Sequence, residues 1–233
     1  METREIGLSV LAETKEERGR RVQVEKGVLS LNNQFAARNR ERLKAAGVTA
    51  LNILSSPGSG KTTLLARTLQ DLAGKYRMGV VVGDLATDND AQRLRAGGVT
   101  AVQIQTGGVC HLEAAMIARA LDALKLDKLN LLFIENVGNL VCPASYDLGE
   151  DARIVLFSVT EGEDKPLKYP KMFKSAELVL ISKTDLAEAA GFDHGLALES
   201  LCQVAPQARV LEVSARTGSG LEEWYGYLRG KLG

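Results

Sequence analysis

Ser55-Ser56-Pro57-Gly58-Ser59-Gly60-Lys61-Thr62-Thr63 follows the apolar run Leu51-Asn52-Ile53-Leu54 and precedes Leu65, Leu69 and Leu72. The three leucines stand at i, i+4 and i+7, one face of a helix. The order is therefore strand, Gly-rich loop, helix, which is the context of a phosphate-binding P-loop. Gly58 and Gly60 let the backbone turn around an anion with its N–H groups inward, at a helix N-terminus whose dipole favours negative charge. Lys61 is placed to reach β- and γ-phosphate oxygens, and the Thr62 hydroxyl to hold Mg²⁺. Ser59 and Thr63 complete the nucleotide-binding stretch. The usual pattern opens with glycine where this chain has Ser55; Pro57-Gly58 still supplies a tight turn.

Working outward, short apolar runs alternate with helical patterns from residue 49 on. Strands are expected at 50–54, 78–83, 99–104, 130–135, 153–159, 178–182 and 209–213. Helices are expected near 61–73, 88–96, 111–125, 194–203 and 219–230. Such alternation implies an α/β fold, a mainly parallel sheet with helices on both faces. Ligands in such sheets bind beyond the carboxyl ends of the strands. Residues 1–48 read as an N-terminal helical extension and 49–233 as the P-loop domain. In the extension Val24, Val28, Leu31 and Phe35 form a helical stripe that suits the main body or a partner. Arg38, Arg40 and Arg42 read as a solvated face.

The 233 residues are 45% hydrophobic and 25% charged with zero formal net charge, an ordinary globular composition. Charge balance gives no argument for nucleic acid or membrane binding. No signal-like or membrane-spanning run is present, and Cys110, Cys142 and Cys202 form no disulfide framework. The expectation is a cytoplasmic protein with reduced thiols.

Two further segments complete a nucleotide site. Val179-Leu180-Ile181-Ser182-Lys183-Thr184-Asp185 is an apolar strand ending in a near match to Asn-Lys-x-Asp, with Ser182 in place of Asn. The Asp185 carboxylate suits the N1–H and 2-amino donors of guanine, whereas adenine would leave it unpaired. The Lys183 stem can lie along the base. Downstream, Ser214-Ala215-Arg216 is a loop where a backbone N–H can meet guanine O6. Asp84 and Glu135 each close an apolar strand, where a charge is costly unless it serves something. With Thr62 they are the proposed Mg²⁺ group, and with Lys61 the catalytic set. Asp88 and Asp90 fit helix N-capping better. No glutamine stands out to position water, so slow hydrolysis is expected.

A third element lies apart from the nucleotide chemistry. Cys110-His111 stands where the helix of 111–125 is expected to begin, and Cys142 lies one strand later, seven residues beyond Glu135. A helix N-terminus would favour the thiolate. Two thiolates and an imidazole suit Zn²⁺ or Ni²⁺; the competing reading is ordinary buried thiols. His194 and Cys202 carry no assignment.

Together the P-loop, Gly83-Asp84-Leu85-Ala86-Thr87-Asp88-Asn89-Asp90-Ala91, Gly108-Val109-Cys110-His111-Leu112 and Glu135-Asn136-Val137-Gly138-Asn139-Leu140-Val141-Cys142-Pro143 resemble the HypB family. Thr160-Glu161-Gly162-Glu163-Asp164-Lys165-Pro166 adds to the resemblance, which covers roughly residues 24–230. The family comprises the GTPases of nickel insertion in [NiFe]-hydrogenase maturation, distinct from the sister urease-maturation GTPases. The resemblance implies a SIMIBI-class P-loop fold, slow GTP hydrolysis to GDP, and a GTP-dependent homodimer. It also implies a nickel or zinc site of Cys110, His111 and Cys142 shared across that dimer. The implied partners are a HypA-type nickel chaperone and the hydrogenase large-subunit precursor. Residues 1–50 contain no Cys and no His, so the N-terminal metal motifs of some members are missing. A regulatory GTPase without metal delivery and a zinc-stabilised scaffold are the rival readings.

Overall fold

The computed structural model describes residues 15–84 and 99–233. Seven strands form one sheet: β1 (Thr49–Ser55), β2 (Met78–Asp84), β3 (Thr100–Gln105), β4 (Leu131–Glu135), β5 (Ala152–Ser158), β6 (Leu178–Ser182) and β7 (Arg209–Val213). Their spatial order is β3-β2-β4-β1-β5-β6-β7, and each adjacent pair is parallel. The seven expected strands are all present, shifted by a residue or so at their ends. They read as nearly unbroken apolar runs because helices cover both faces.

The described helices are α1 (Lys15–Ala45), α2 (Lys61–Asp71), α3 (Ala114–Ala123), α4 (Lys165–Lys168), α5 (Pro170–Lys174), α6 (Ala187–Ala190), α7 (His194–Val204) and α8 (Leu221–Leu232). The helix expected at 88–96 lies outside the described residues. Strand alternation sorts the core. Leu51, Ile53, Val80, Phe133, Ile154 and Leu180 face α2 and α8. On the other side, Val155, Phe157, Val179 and Ile181 face α5 and α7, while Val81, Leu132 and Ile134 face α1 and α3. The Trp224 indole N–H, fully buried on α8, donates to Thr68 Oγ1 of α2 at 2.9 Å.

The docking of α1 departs from the expected stripe. Among its described side chains the buried ones are Asn32, Ala36, Asn39 and Leu43, while Val28 and Leu31 are 44% and 56% exposed; the Val24 side chain lies outside the described residues. The surface below explains the choice, because it presents backbone acceptors beside the apolar side chains that receive Leu43. Asn39 Nδ2 donates to the Ala114 and Leu148 carbonyls at 2.8 and 3.0 Å, and Asn32 Nδ2 to that of Asp147 at 2.7 Å. Buried carbonyls need donors, which amides supply and valines do not. The arginines keep a largely solvated face, with ion pairs at its surface. Arg40 grips both Asp147 oxygens at 2.8 and 3.0 Å, and Arg42 reaches Asp122 at 2.7 Å; Arg38 lies over the Phe35 ring.

β1 is the central strand, flanked by β4 and β5. Its loop therefore opens at the point where strand order diverges, the crevice position of open α/β sheets.

Candidate nucleotide and metal sites

The loop after β1 folds around its own polar atoms. Gly60 precedes α2 at φ 96°, a left-handed value that glycine adopts without steric penalty. Lys61 turns back so that its ammonium donates to Ser55 Oγ at 2.8 Å. The serine in the usual glycine position thus contributes an acceptor to the loop. The next side chain, Thr62, donates to Glu135 Oε1 at 2.6 Å. Glu135 is 4% exposed at the end of β4, so hydroxyl and carboxylate meet in a buried position. Thr63 faces outward. Asp84 closes β2 opposite Gln105; its side chain lies outside the described residues.

The β6 and β7 ends come to the same loop. A cavity of about 200 Å³ is lined by Ser59, Gly60, Thr63, Lys183, Asp185, Ala215 and Arg216 among others. Ser182 Oγ donates to Ser59 O at 2.7 Å, so the residue in the Asn position ties β6 to the P-loop. Lys183 takes a left-handed backbone, φ 59°, and sends its ammonium to Gly58 O at 2.6 Å. Ser214 Oγ donates to Asp185 Oδ1 at 2.6 Å, which orients that carboxylate at the cavity. Arg216 stands 3.9 Å from Asp185 and is largely exposed. Arg67 of α2 holds the Ala215 carbonyl at 3.2 Å. The segment around Glu161 belongs here too, with Glu161 Oε1 accepting from Ser59 Oγ at 3.2 Å.

The second site lies across the β4 end from the first. The Cys110 and Cys142 sulfurs are 2.9 Å apart, and His111 Nδ1 is 3.9 Å from the Cys110 sulfur. All three ligand atoms lie within 4.8 Å of one another. The Tyr146 ring lies against the imidazole, centroids 3.9 Å apart and tilted by 34°. Burial pushes the His111 pKa down, which favours the neutral imidazole that ligates metals. Cys110 corrects an expectation. The helix begins at Ala114, beyond the Cys-His pair, so no helix N-terminus acts on the thiol. Its pKa is raised instead, by the hydrogen bond with Cys142 and by burial. A metal held by Cys110 would have to displace its thiol proton. Of the residues left unassigned, Cys202 is exposed and His194 meets Glu212 at 3.1 Å.

Asn136 and Asn139, which the sequence showed only as part of a motif, fasten the 135–142 segment to β1 and to the Cys110-His111 loop. Asn136 Oδ1 accepts from the Leu112 and Val137 amides at 3.1 and 2.9 Å. Its Nδ2 donates to Asn52 Oδ1 at 3.3 Å, and Asn52 in turn donates to Glu150 at 3.2 Å. Asn139 Nδ2 donates to the Cys110 carbonyl at 3.2 Å. Gly138 lies against the P-loop, where an added Cβ would stand 2.9 Å from Pro57 Cα. A polar Asn52 inside an apolar strand was the signal that such a network existed.

Comparison with known proteins agrees with this geometry. Residues 49–212 match the family described as CobW/HypB/UreG, nucleotide-binding domain. The hydrogenase maturation factor HypB of Rhizobium leguminosarum bv. viciae is 51% identical over 207 residues, 89% of this chain and 69% of the relative. Two crystal structures superpose with TM-scores of 0.83. HypB from Archaeoglobus fulgidus is 42% identical, covering 88% of this chain and 100% of the other. HypB from Helicobacter pylori in complex with nickel is 47% identical, covering 86% and 94%. The chain belongs to the CobW/HypB/UreG family of nucleotide-binding proteins and, within it, to the HypB hydrogenase maturation factors.

Proposed function

We propose that this chain is a GTP-hydrolysing metallochaperone that couples its nucleotide state to the binding and delivery of nickel during hydrogenase maturation. One observation carries the reading. Glu135, bonded to Thr62, and Cys142, paired with Cys110, stand at the two ends of one short connection. That connection is fastened to the P-loop at Gly138 and to the Cys110-His111 loop by two asparagines.

In this reading Gly58, Ser59, Gly60, Lys61, Thr62 and Thr63 bind the phosphates. Asp185 reads the guanine edge, and Lys183, Ser214, Ala215 and Arg216 complete the base site. Thr62 and Glu135 offer hard oxygen donors 2.6 Å apart, a set that fits Mg²⁺, with Asp84 at the neighbouring strand end. A bound Mg²⁺ supplies charge neutralisation at the β- and γ-phosphates. Lys61 draws on the same charge, and its present hold on Ser55 is exchanged for phosphate oxygens. Thr62 must leave Glu135 or share it when nucleotide binds, and that rearrangement enters the 135–142 connection directly. Intrinsic hydrolysis is slow in this reading, because no glutamine stands out in the sequence as a water-positioning residue.

The metal ion is cargo, held by Cys110, His111 and Cys142. Soft sulfur and imidazole donors suit Ni²⁺ and Zn²⁺ alike. Three donors leave the coordination open, which suits a cargo site completed by a second copy in a GTP-dependent homodimer. A HypA-type chaperone and the hydrogenase large-subunit precursor are the proposed partners. The test separates the two sites: Lys61→Ala abolishes hydrolysis and keeps metal binding by the nucleotide-free protein, while Cys142→Ala does the reverse. Loss of basal hydrolysis in Cys142→Ala would count against this arrangement.

A further inference from the structure

The imidazole of His111 has two nitrogens, and the structure gives them different surroundings. Nδ1 faces the Cys110 sulfur at 3.9 Å. Nε2 points away, is buried and makes no hydrogen bond; the carboxylate oxygen Glu113 Oε1 lies 3.7 Å from it. A neutral imidazole has one N–H and one lone pair. If Nδ1 offers its lone pair toward the thiols, the proton sits on Nε2 and needs an acceptor. We propose that Glu113 is that acceptor: an outer-sphere carboxylate that fixes the His111 tautomer and ring so that Nδ1 is the metal-binding atom. The inference rests on the reading of Cys110, His111 and Cys142 as a metal site.

Three observations support it. Glu113 precedes the first residue of α3, yet its side chain makes no capping bond. The Ala114 amide donates to Asn32 Oδ1 from α1 at 2.8 Å, and the Met116 amide, a usual target of a capping side chain, to the Glu113 main-chain carbonyl at 2.9 Å. The carboxylate is therefore not occupied by the helix end. Tyr146 packs on the ring, which limits tilting but leaves rotation within the ring plane to be set by a hydrogen bond. Finally, Glu113 stands on the Nε2 side, and the donor atoms that converge among the described residues are those of Cys110, His111 and Cys142. That placement makes Glu113 a positioning residue and not a fourth ligand. Such outer partners fix the ligating nitrogen and raise its basicity, and their loss costs about ten- to a hundredfold in metal affinity.

The experiment titrates zinc and nickel into the full chain against a chromophoric chelator, for wild type, Glu113→Ala, Glu113→Gln and Cys142→Ala. X-ray absorption on the zinc-loaded forms and thermal unfolding of the metal-free forms accompany it. The expected result is loss of binding in Cys142→Ala and weakening by about ten- to a hundredfold in Glu113→Ala. Glu113→Gln should recover most of the affinity, because its carbonyl oxygen accepts the same bond. Metal-free stability and GDP affinity should match wild type in both Glu113 variants. Wild-type affinity in Glu113→Ala, beside lost binding in Cys142→Ala, would overturn the inference and leave the metal site standing. An oxygen scatterer lost with Glu113 would make it a direct ligand, and a metal-free stability drop would make it a helix cap; either overturns the assignment. Unchanged binding in Cys142→Ala would instead overturn the metal site on which it rests.

Discussion

Replacing Gly138 by alanine places a carbon 2.9 Å from Pro57 Cα, 3.0 Å from Pro57 N and 3.2 Å from Pro57 Cγ. Carbon atoms rest at about 3.5–4.0 Å, so one of the two backbones must retreat by at least roughly 0.6 Å. Overpacking of this kind costs about 1–3 kcal/mol. If the P-loop gives way, the cost appears as weaker nucleotide binding. If the 135–142 connection gives way, it appears as weaker metal binding. At about 1.4 kcal/mol per tenfold, the loss should be roughly 5- to 150-fold, divided between the two ligands. Calorimetric titration of GDP and of zinc into the same Gly138→Ala preparation measures both. Affinities for both ligands within twofold of wild type would refute the reasoning, because the contact would then transmit nothing between the sites.

Other outcomes follow from named contacts. Asp185→Asn exchanges an acceptor for a donor at the base edge and should shift preference from guanine to xanthine nucleotides; an unchanged preference in competition binding contradicts the base assignment. Asn39→Ala removes the donor of two buried carbonyls and should lower stability by about 2–4 kcal/mol, read by urea unfolding, with a change under 0.5 kcal/mol against it. Burial works to raise the Asp147 pKa, but the Gly149 amide and Arg40 outweigh it and hold the carboxyl below its usual range. A depressed folded-state pKa contributes stability above the unfolded value, lost as pH falls through the folded one. Asp147→Asn should therefore be less stable than wild type at pH 7, with the gap closing in acid below about pH 4. A gap independent of pH would contradict that linkage.

The sheet was readable because parallel strands covered on both faces leave continuous apolar runs, and the seven runs here match seven strands. The P-loop was readable because its glycine, lysine and threonine spacing has few other uses. The docking of α1 was not. Periodicity marks Val28, Leu31 and Phe35, but the surface beneath the helix carries the carbonyls of Ala114, Asp147 and Leu148. Nothing in the helix's own sequence reveals which groups await it. The same holds at the metal site. Cys110, His111 and Cys142 were visible as residue types, while the start of α3 at Ala114 and the thiol pairing are tertiary facts. They reversed the expected shift of the Cys110 pKa. Asn136 and Asn139 stood in the motif with no evident task, since Asn52, Leu112 and Cys110, which they bond, are distant in sequence.

Coupling between the two sites is the central claim, and one measurement reaches it most directly. Nickel and zinc are titrated into the protein with GDP and with a non-hydrolysable GTP analogue, with sedimentation run on the same samples. The account predicts tight binding whose affinity differs between the two nucleotides and changes together with dimerisation. Equal affinity in both states, or no binding in either, would contradict it and leave a GTPase whose paired thiols serve only packing.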